Sequence, residues 1–175
     1  MPEEVIEGRR AEVLFLGNVS AHHNSSKFAP LLITPLFNRG INITYTSDTS
    51  DLNTDNLKKY DGLIIYGNYD TITPDKEQAL KEFVEGGKGL IPIHSASACF
   101  VNSDWYIQTV GGRFKSHRSG VFSPVTVKSD HPVMEGIAPF SSWDETYVHS
   151  NLNPDMTILQ ERVEGDVREP WTWVR

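Results

Sequence analysis

The sequence predicts an α/β fold with a mainly parallel central sheet and helices on both of its faces. Three observations carry this expectation. Glu12-Val13-Leu14-Phe15-Leu16-Gly17, Gly62-Leu63-Ile64-Ile65-Tyr66-Gly67 and Gly89-Leu90-Ile91-Pro92-Ile93-His94 are short, nearly continuous apolar runs bounded by glycine or a polar residue, the pattern of strands covered on both sides. Segments of helical spacing lie between them, giving the order β-α-β-α-β-α-β, which calls for right-handed crossovers. At 175 residues the chain suits one domain, and a domain of this size buries roughly 70% of the surface its unfolded chain exposes.

Each element has its own justification. Residues 1–10 read as a polar lead-in, and residues 11–175 as a single domain. The first strand, 12–17, runs into the polar loop 18–26. Phe28, Leu31, Leu32, Leu36 and Phe37 then follow at near-helical spacing, with Ser25 or Ser26 as cap and Gly40 as terminator; Pro35 inside this pattern predicts a kink or break. Ile41-Asn42-Ile43-Thr44-Tyr45-Thr46 alternates apolar and polar residues, as a strand near the sheet edge does. Residues 51–59 form a short polar helix or turn anchored by Leu52 and Leu57. Thr73-Pro74-Asp75 supplies an N-cap, a proline at the first helical position and an acid in the first turn, ahead of Ala79, Leu80, Phe83 and Val84 on one face.

Glu85-Gly86-Gly87-Lys88-Gly89 carries the glycines of a phosphate loop in the reverse order, helix then glycines then strand, and so reads as a helix C-cap and turn. Pro92 in the next strand removes a ladder donor and belongs at an edge or bulge. Beyond residue 97 the regularity falls. The expectations there are a short helix at 104–110, a turn at 111–114, a strand over 121–128 around Pro124, a turn at 130–132, a polar and aromatic loop or strand over 142–149 and a last strand over 156–163. This half reads as loops over one end of a sheet.

Composition narrows function. Hydrophobic residues make up 38% and charged residues 22%, as in an ordinary globular domain. The net charge of −7, with no basic stripe, argues against nucleic acid as a partner. No apolar run approaches the ~20 residues of a membrane helix. The lone Cys99 forms no internal disulfide and reads as a packed apolar residue. As written the chain is expected to be cytoplasmic, or periplasmic if a signal peptide has been removed from its precursor.

The candidate chemistry sits at strand ends. His94 ends the fourth strand and His22 and His23 follow the first, and ligands in open parallel sheets collect at the carboxyl ends of strands. Trp143-Asp144-Glu145-Thr146-Tyr147 places two carboxylates and a phenol among aromatics; carboxylates in differing environments serve as acid and base. Ser95 directly follows His94, so the two side chains diverge on a strand, and no G-x-S-x-G turn presents a serine. No H-E-x-x-H or paired Cys/His spacing marks a metal site. His94, His117 and Glu145, dispersed in sequence, form a candidate ligand set for a divalent metal such as zinc.

Four ordered motifs carry a family resemblance: Gly89-Leu90-Ile91-Pro92-Ile93-His94-Ser95-Ala96, Gly111-Gly112-Arg113-Phe114-Lys115-Ser116-His117, Asp130-His131-Pro132-Val133 and Asp144-Glu145-Thr146-Tyr147. In order and spacing they resemble the ThuA-like trehalose-utilisation family over about residues 11–173. The resemblance implies a flavodoxin-like three-layer sandwich similar to the class I glutamine amidotransferases, in which a cysteine normally occupies the elbow where this chain has His94. It therefore implies the fold and denies the amidotransferase reaction.

It also implies carbohydrate metabolism, in trehalose and keto-sugar pathways. The first expectation is an enzyme on a sugar or keto-sugar, with His94 as acid/base or polarising group and Glu145 or Asp144 as its carboxylate. His22, His23, His117, Arg118 and Tyr147 would bind hydroxyls, while Trp105, Trp143 and Tyr147 would stack on sugar faces. The alternative is a non-catalytic sugar-binding or docking module of a larger oxidoreductase, since such domains occur beside dehydrogenase and haem modules. Relatives continue past Glu169-Pro170-Trp171-Thr172-Trp173 into a further strand and a Gly-His loop, so the domain is expected to be trimmed at its C-terminus.

Overall fold

The computed structural model describes residues 8–175, so most of the polar lead-in lies outside the described residues. The chain folds as two compact units that divide between Tyr106 and Ile107.

The first unit is built on four parallel strands, β1 (Ala11–Gly17), β2 (Ile41–Thr46), β3 (Gly62–Tyr66) and β4 (Gly89–Pro92), in the order β2-β1-β3-β4. Their connections carry α1 (Ser25–Phe37), α2 (Thr54–Leu57) and α3 (Pro74–Glu85). Alternation sends Val13, Phe15 and Ile64 to one face, where they pack with Ala29 of α1 and with Leu32, Ile33, Ile41 and Ile43. Leu14, Leu16, Leu63 and Ile65, which alternate with them, are also fully buried. A sheet covered on both faces explains why β1 and β3 read as unbroken apolar runs.

Most of the expected elements form within a residue or two of their predicted bounds. Leu52 and Leu57 are the buried anchors of the 51–59 segment. Gly86 caps α3 and Gly87 turns the chain at φ +87° toward β4, so the glycine cluster ends a helix. Pro92 is tolerated because β4 is an edge strand. The break that Pro35 allowed does not occur: α1 continues through both Pro30 and Pro35 to Phe37, its apolar face holding it against the sheet. Its N-cap is Asn24, without a side-chain cap bond. Ser25 instead lies inside the first turn, fully buried, and donates through Oγ to the Asn18 carbonyl at 2.9 Å. A Cβ at Gly17 would stand 2.2 Å from that Oγ, which accounts for the glycine closing β1.

After β4 the chain turns sharply. The Ile93 N–H donates to the Ile65 carbonyl at 2.8 Å, extending the β3–β4 pairing by one bond. His94 then opens a 3₁₀ turn over His94–Ala98 with φ +49°. A non-glycine residue in the left-handed region carries strain and is a recurrent mark of functional sites. α4 (Asp104–Val110) follows, as expected.

The second unit departs most from expectation: it is mostly antiparallel strand, not loops. β5 (Arg113–Phe122) pairs antiparallel with β7 (Ser142–Ser150), and β6 (Val125–Thr126), β8 (Thr157–Glu164) and β9 (Val167–Val174) form a second sheet in the order β6-β8-β9. Arg113 and Phe114, read as part of a turn, open β5. The strand expected over 121–128 is instead divided by Pro124 into the end of β5 and the two residues of β6. β9 has no counterpart in the sequence reading, because Pro170 and its charged first half conceal the pattern. The second unit is stapled at Gly111, which adopts φ +101° where a Cβ would meet Trp173 Nε1 at 2.5 Å. That indole N–H donates to the Val110 carbonyl at 2.8 Å.

Asp61 joins the starts of three strands in the first unit: it accepts the Glu12 N–H at 3.0 Å and contacts Lys88 at 3.1 Å and Arg9 at 3.0 Å. The Glu12 amide first, then the two cations, hold its carboxyl below the usual 3.8. A depressed folded-state value stabilises the fold above the ordinary carboxylate pKa, and that contribution is lost as pH falls through the folded value. Urea denaturation should therefore show the wild type more stable than Asp61→Asn at pH 7, with the gap closing as pH drops below 3.8; a gap constant to pH 2 contradicts the assignment. At His94 the left-handed backbone should make His94→Gly more stable than His94→Ala by about 1 kcal/mol in the same assay, and equal stabilities would mean that the turn relaxes.

Candidate active site

Parallel pairing sets the geometry of the first unit's site. The register Ile65↔Pro92 brings the residues just after β3 and β4 side by side, and the loop after β1 joins them. His94 stands half-buried at the turn, with the His23 ring edge-on at 4.8 Å between centroids and the Tyr66 ring at 6.2 Å. His23 and Tyr66 are 6.1 Å apart, and Phe28 of α1 lies 6.0 Å beyond Tyr66. Two imidazoles and a phenol thus converge at the carboxyl end of the sheet. His22 is exposed, 6.4 Å from His23, on the rim of this group. Tyr66 was missed by sequence reasoning, although its place one residue beyond the β3 pairing with Pro92 was the signal available.

Ser95 is fully buried while His94 is half-buried, so the two side chains diverge as expected. Cys99 is buried, its thiol donating to the Gly67 carbonyl at 3.1 Å and its pKa pushed up by burial to about 11. A thiol held neutral in this way is a poor nucleophile. Tyr69, also raised by burial, to about 12, stays a neutral donor. Trp105 lies half-buried in α4.

The second unit carries the other expected residues on the β5–β7 ribbon, and alternation sorts them. Directly opposed residues of an antiparallel pair share a face. The pairs His117↔Tyr147, Ser119↔Glu145 and Val121↔Trp143 lie on one face, while Arg118↔Thr146 and Gly120↔Asp144 lie on the other. Glu145 and His117 are therefore brought together, with Oε1 and Nε2 3.7 Å apart, and Asp144 and Arg118 are turned away from them. Asp144 is exposed and accepts the Glu145 N–H at 2.8 Å.

His117 Nδ1 lies 3.3 Å from the Arg118 carbonyl. Since a carbonyl only accepts, Nδ1 is the donor, and Nε2 faces Glu145 as a second donor only in the imidazolium form. Tyr147 packs on Phe114 at 4.5 Å, with His117 at 5.8 Å and His149 at 6.0 Å. It is 5% exposed, which suits it to hold the strand rather than to stack on a ligand. Trp143, at the other end of the same face, is 69% exposed. His131 accepts the Val133 N–H at 3.2 Å and caps a turn.

The metal set expected from sequence, His94, His117 and Glu145, draws on both units. Within the first, His94 and His23 form an imidazole pair; within the second, His117 and Glu145 form an imidazole–carboxylate pair. Each pair offers borderline ligands of the kind zinc takes, in a number short of a full set.

The sequence matches the family model ThuA, trehalose utilisation, over residues 12–175. Among curated proteins none matches it. Among solved structures, a ThuA-like protein from Bacteroides uniformis superposes with a TM-score of 0.80 at 19% identity, over 99% of this chain and 80% of that one. A ThuA-like protein from Parabacteroides merdae gives 0.74 at 15% identity, over 94% and 75%. A GMP synthase component from Thermoplasma acidophilum gives 0.54 at 13% identity, over 93% and 81%. At these identities the likenesses to solved structures speak for the fold, and with a family model that spans nearly the whole sequence, the chain belongs to the ThuA family of trehalose utilisation.

Proposed function

We propose that the chain acts on a glycoside of the trehalose or keto-sugar class, with His94 as its acid/base group. The observation that carries this reading is the His94 turn, in which a strained left-handed residue at the carboxyl end of a parallel strand is flanked by the His23 and Tyr66 rings. Imidazole is the side chain suited to proton transfer near neutral pH. In a 3-keto-glycoside the carbonyl acidifies the hydrogen on C2. If His94 takes that proton, its electron pair forms the C1–C2 double bond, the C1–O bond breaks, and the departing alkoxide recovers the proton from the imidazolium. One histidine can serve both transfers, and Tyr66 and His23 can bind the sugar hydroxyls beside it.

Taken by itself, the ribbon of the second unit offers Glu145 with its His117 neighbour as a proposed proton-handling pair and exposed Trp143 as a proposed sugar-stacking surface. Asp144, Arg118, His22 and Tyr147 take lesser parts in this reading, given their faces and burial. The His23–His94 pair favours a second reading, in which the two imidazoles would hold a divalent ion such as zinc, a group that would supply Lewis acidity toward a sugar oxygen.

Turnover of 3-keto-trehalose by the purified chain tests the proposal. His94→Ala should lower kcat by at least about 10²-fold with an unchanged thermal midpoint. Full activity in His94→Ala overturns the proposal. Wild-type activity abolished by EDTA and restored by zinc transfers it to the metal reading. Stabilisation of the wild type by trehalose without any turnover leaves a binding module.

A further inference from the structure

The loop that carries His23 to the His94 turn is closed by a single side chain. After β1 the chain doubles back in a short hairpin, with Val19 and Asn24 bridged antiparallel and the Ser20 N–H donating to the His23 carbonyl at 2.8 Å. The Ser20 hydroxyl completes this loop. Its Oγ accepts the His22 N–H at 3.2 Å and the His23 N–H at 3.0 Å, and donates to the His23 carbonyl at 3.3 Å. Both main-chain groups of His23 are thus bonded to one residue. A hydroxyl is suited to the task because it carries one donor and two acceptor lone pairs, and here it satisfies two amides that the hairpin's own backbone bond leaves over.

The hairpin is anchored at its base. The Asn18 carbonyl takes the Ser25 N–H at 3.1 Å and the Ser25 hydroxyl at 2.9 Å. The Asn18 side chain reaches the loop after β3, where its Oδ1 accepts the Asn68 N–H at 3.1 Å. The start of α1 and the loop that follows Tyr66 are therefore tied to the same residue. Between this base and His23 the chain has little else to hold it, since Ala21 and His22 are exposed and bury nothing that would fix the turn.

The contact to be held is a narrow one. The His23 ring stands edge-on to His94, 4.8 Å between centroids with the planes at 90°, an arrangement that aromatic rings favour and that a small displacement removes. A misplacement of about 1 Å beside a reacting group costs on the order of 10²-fold in rate, so a hydroxyl with no part in the chemistry can govern it.

We infer that Ser20 is a positioning residue of the first unit's site: its hydroxyl fixes the His23 main chain and so holds the His23 ring against His94. Its effect on turnover rests on the reading of His94 as the acid/base group, whereas the ring contact stands on geometry alone.

Nuclear magnetic resonance of the His94 ring protons in the full chain, at one fixed pH and assigned by their loss in His94→Ala, tests this. Ser20→Ala should move these resonances toward their positions in His23→Ala, and Ser20→Thr, which keeps the hydroxyl, should leave them where the wild type has them. Adding Ser20→Ala to His23→Ala should move them no further, which separates an effect through His23 from a general loosening of the fold. Turnover of 3-keto-trehalose should follow the same order, with kcat/KM at least about tenfold lower in Ser20→Ala and restored in Ser20→Thr. Unmoved resonances in Ser20→Ala, shifts that Ser20→Thr does not restore, or a further shift in the double variant each overturn the inference. So does full kcat/KM in Ser20→Ala beside an active wild type, and so does loss of the folded spectrum in Ser20→Ala, which makes the serine a residue of the fold at large. Resonances that shift and are restored, in a wild type without turnover, sustain the positioning role and remove the catalytic reading instead.

Discussion

The parallel pairing of β3 with β4 is the constraint on which the first unit's site depends. Because the strands run the same way in register, Ile65 and Pro92 lie side by side and both strands emerge at the same end of the sheet. The Ile93–Ile65 hydrogen bond carries the pairing one residue further, after which the backbone can keep its ladder or release a side chain. At His94 it releases one, by adopting a conformation that costs on the order of 1–3 kcal/mol. The buried strands beneath it, with Leu63, Ile64 and Ile65 at most 4% exposed, supply the packing against which such a turn can be held.

The chemistry follows from which side chain stands at that turn. A thiol there would be a nucleophile; an imidazole is a proton carrier. The chain's only thiol, Cys99, lies five residues on, where burial and a bond to the Gly67 carbonyl keep it neutral and enclosed. Sulfur is used here as packing, and the side chain displayed at the turn is an imidazole. In the β5–β7 ribbon alternation makes a comparable choice between neighbouring carboxylates: Glu145 shares a face with His117 and Trp143, and Asp144 does not.

Much of the first unit was legible because its signals are local and agree with one another. Apolar runs marked β1, β3 and β4, the Thr73-Pro74-Asp75 start marked α3, and reversed glycines marked its end. The continuity of α1 through Pro30 and Pro35 was illegible, since apolar contacts of Leu32 and Ile33 with the sheet outweigh a local penalty that the sequence states plainly. In the second unit the strands are half-exposed, interrupted by Pro124 and Pro170, and shifted by a bulge between Phe114 and Ser116, which removes the period on which strand reading relies. His94 and His23 could be named as candidates from their positions at strand ends, whereas Tyr66 needed the pairing partner of its strand.

The sheet's two edges divide the remaining labour. A strand that must end at a site cannot also be open to pairing, because a neighbour added along it would compete with the loop that carries the side chain. β4 meets this requirement by brevity and by Pro92, which removes a donor one residue before the chain leaves the ladder. β2 leads to no such turn: after Thr46 the chain passes into Asp48–Asp51, where side chains of Thr46, Asp48 and Asp51 bond among themselves and to the local backbone. Freed from that constraint, β2 keeps β-branched, uncharged residues that serve core packing on one side, and no strand among the described residues pairs along its other side. The edge kept closed is the one beside the imidazoles, and the edge left open is the one across the sheet from them.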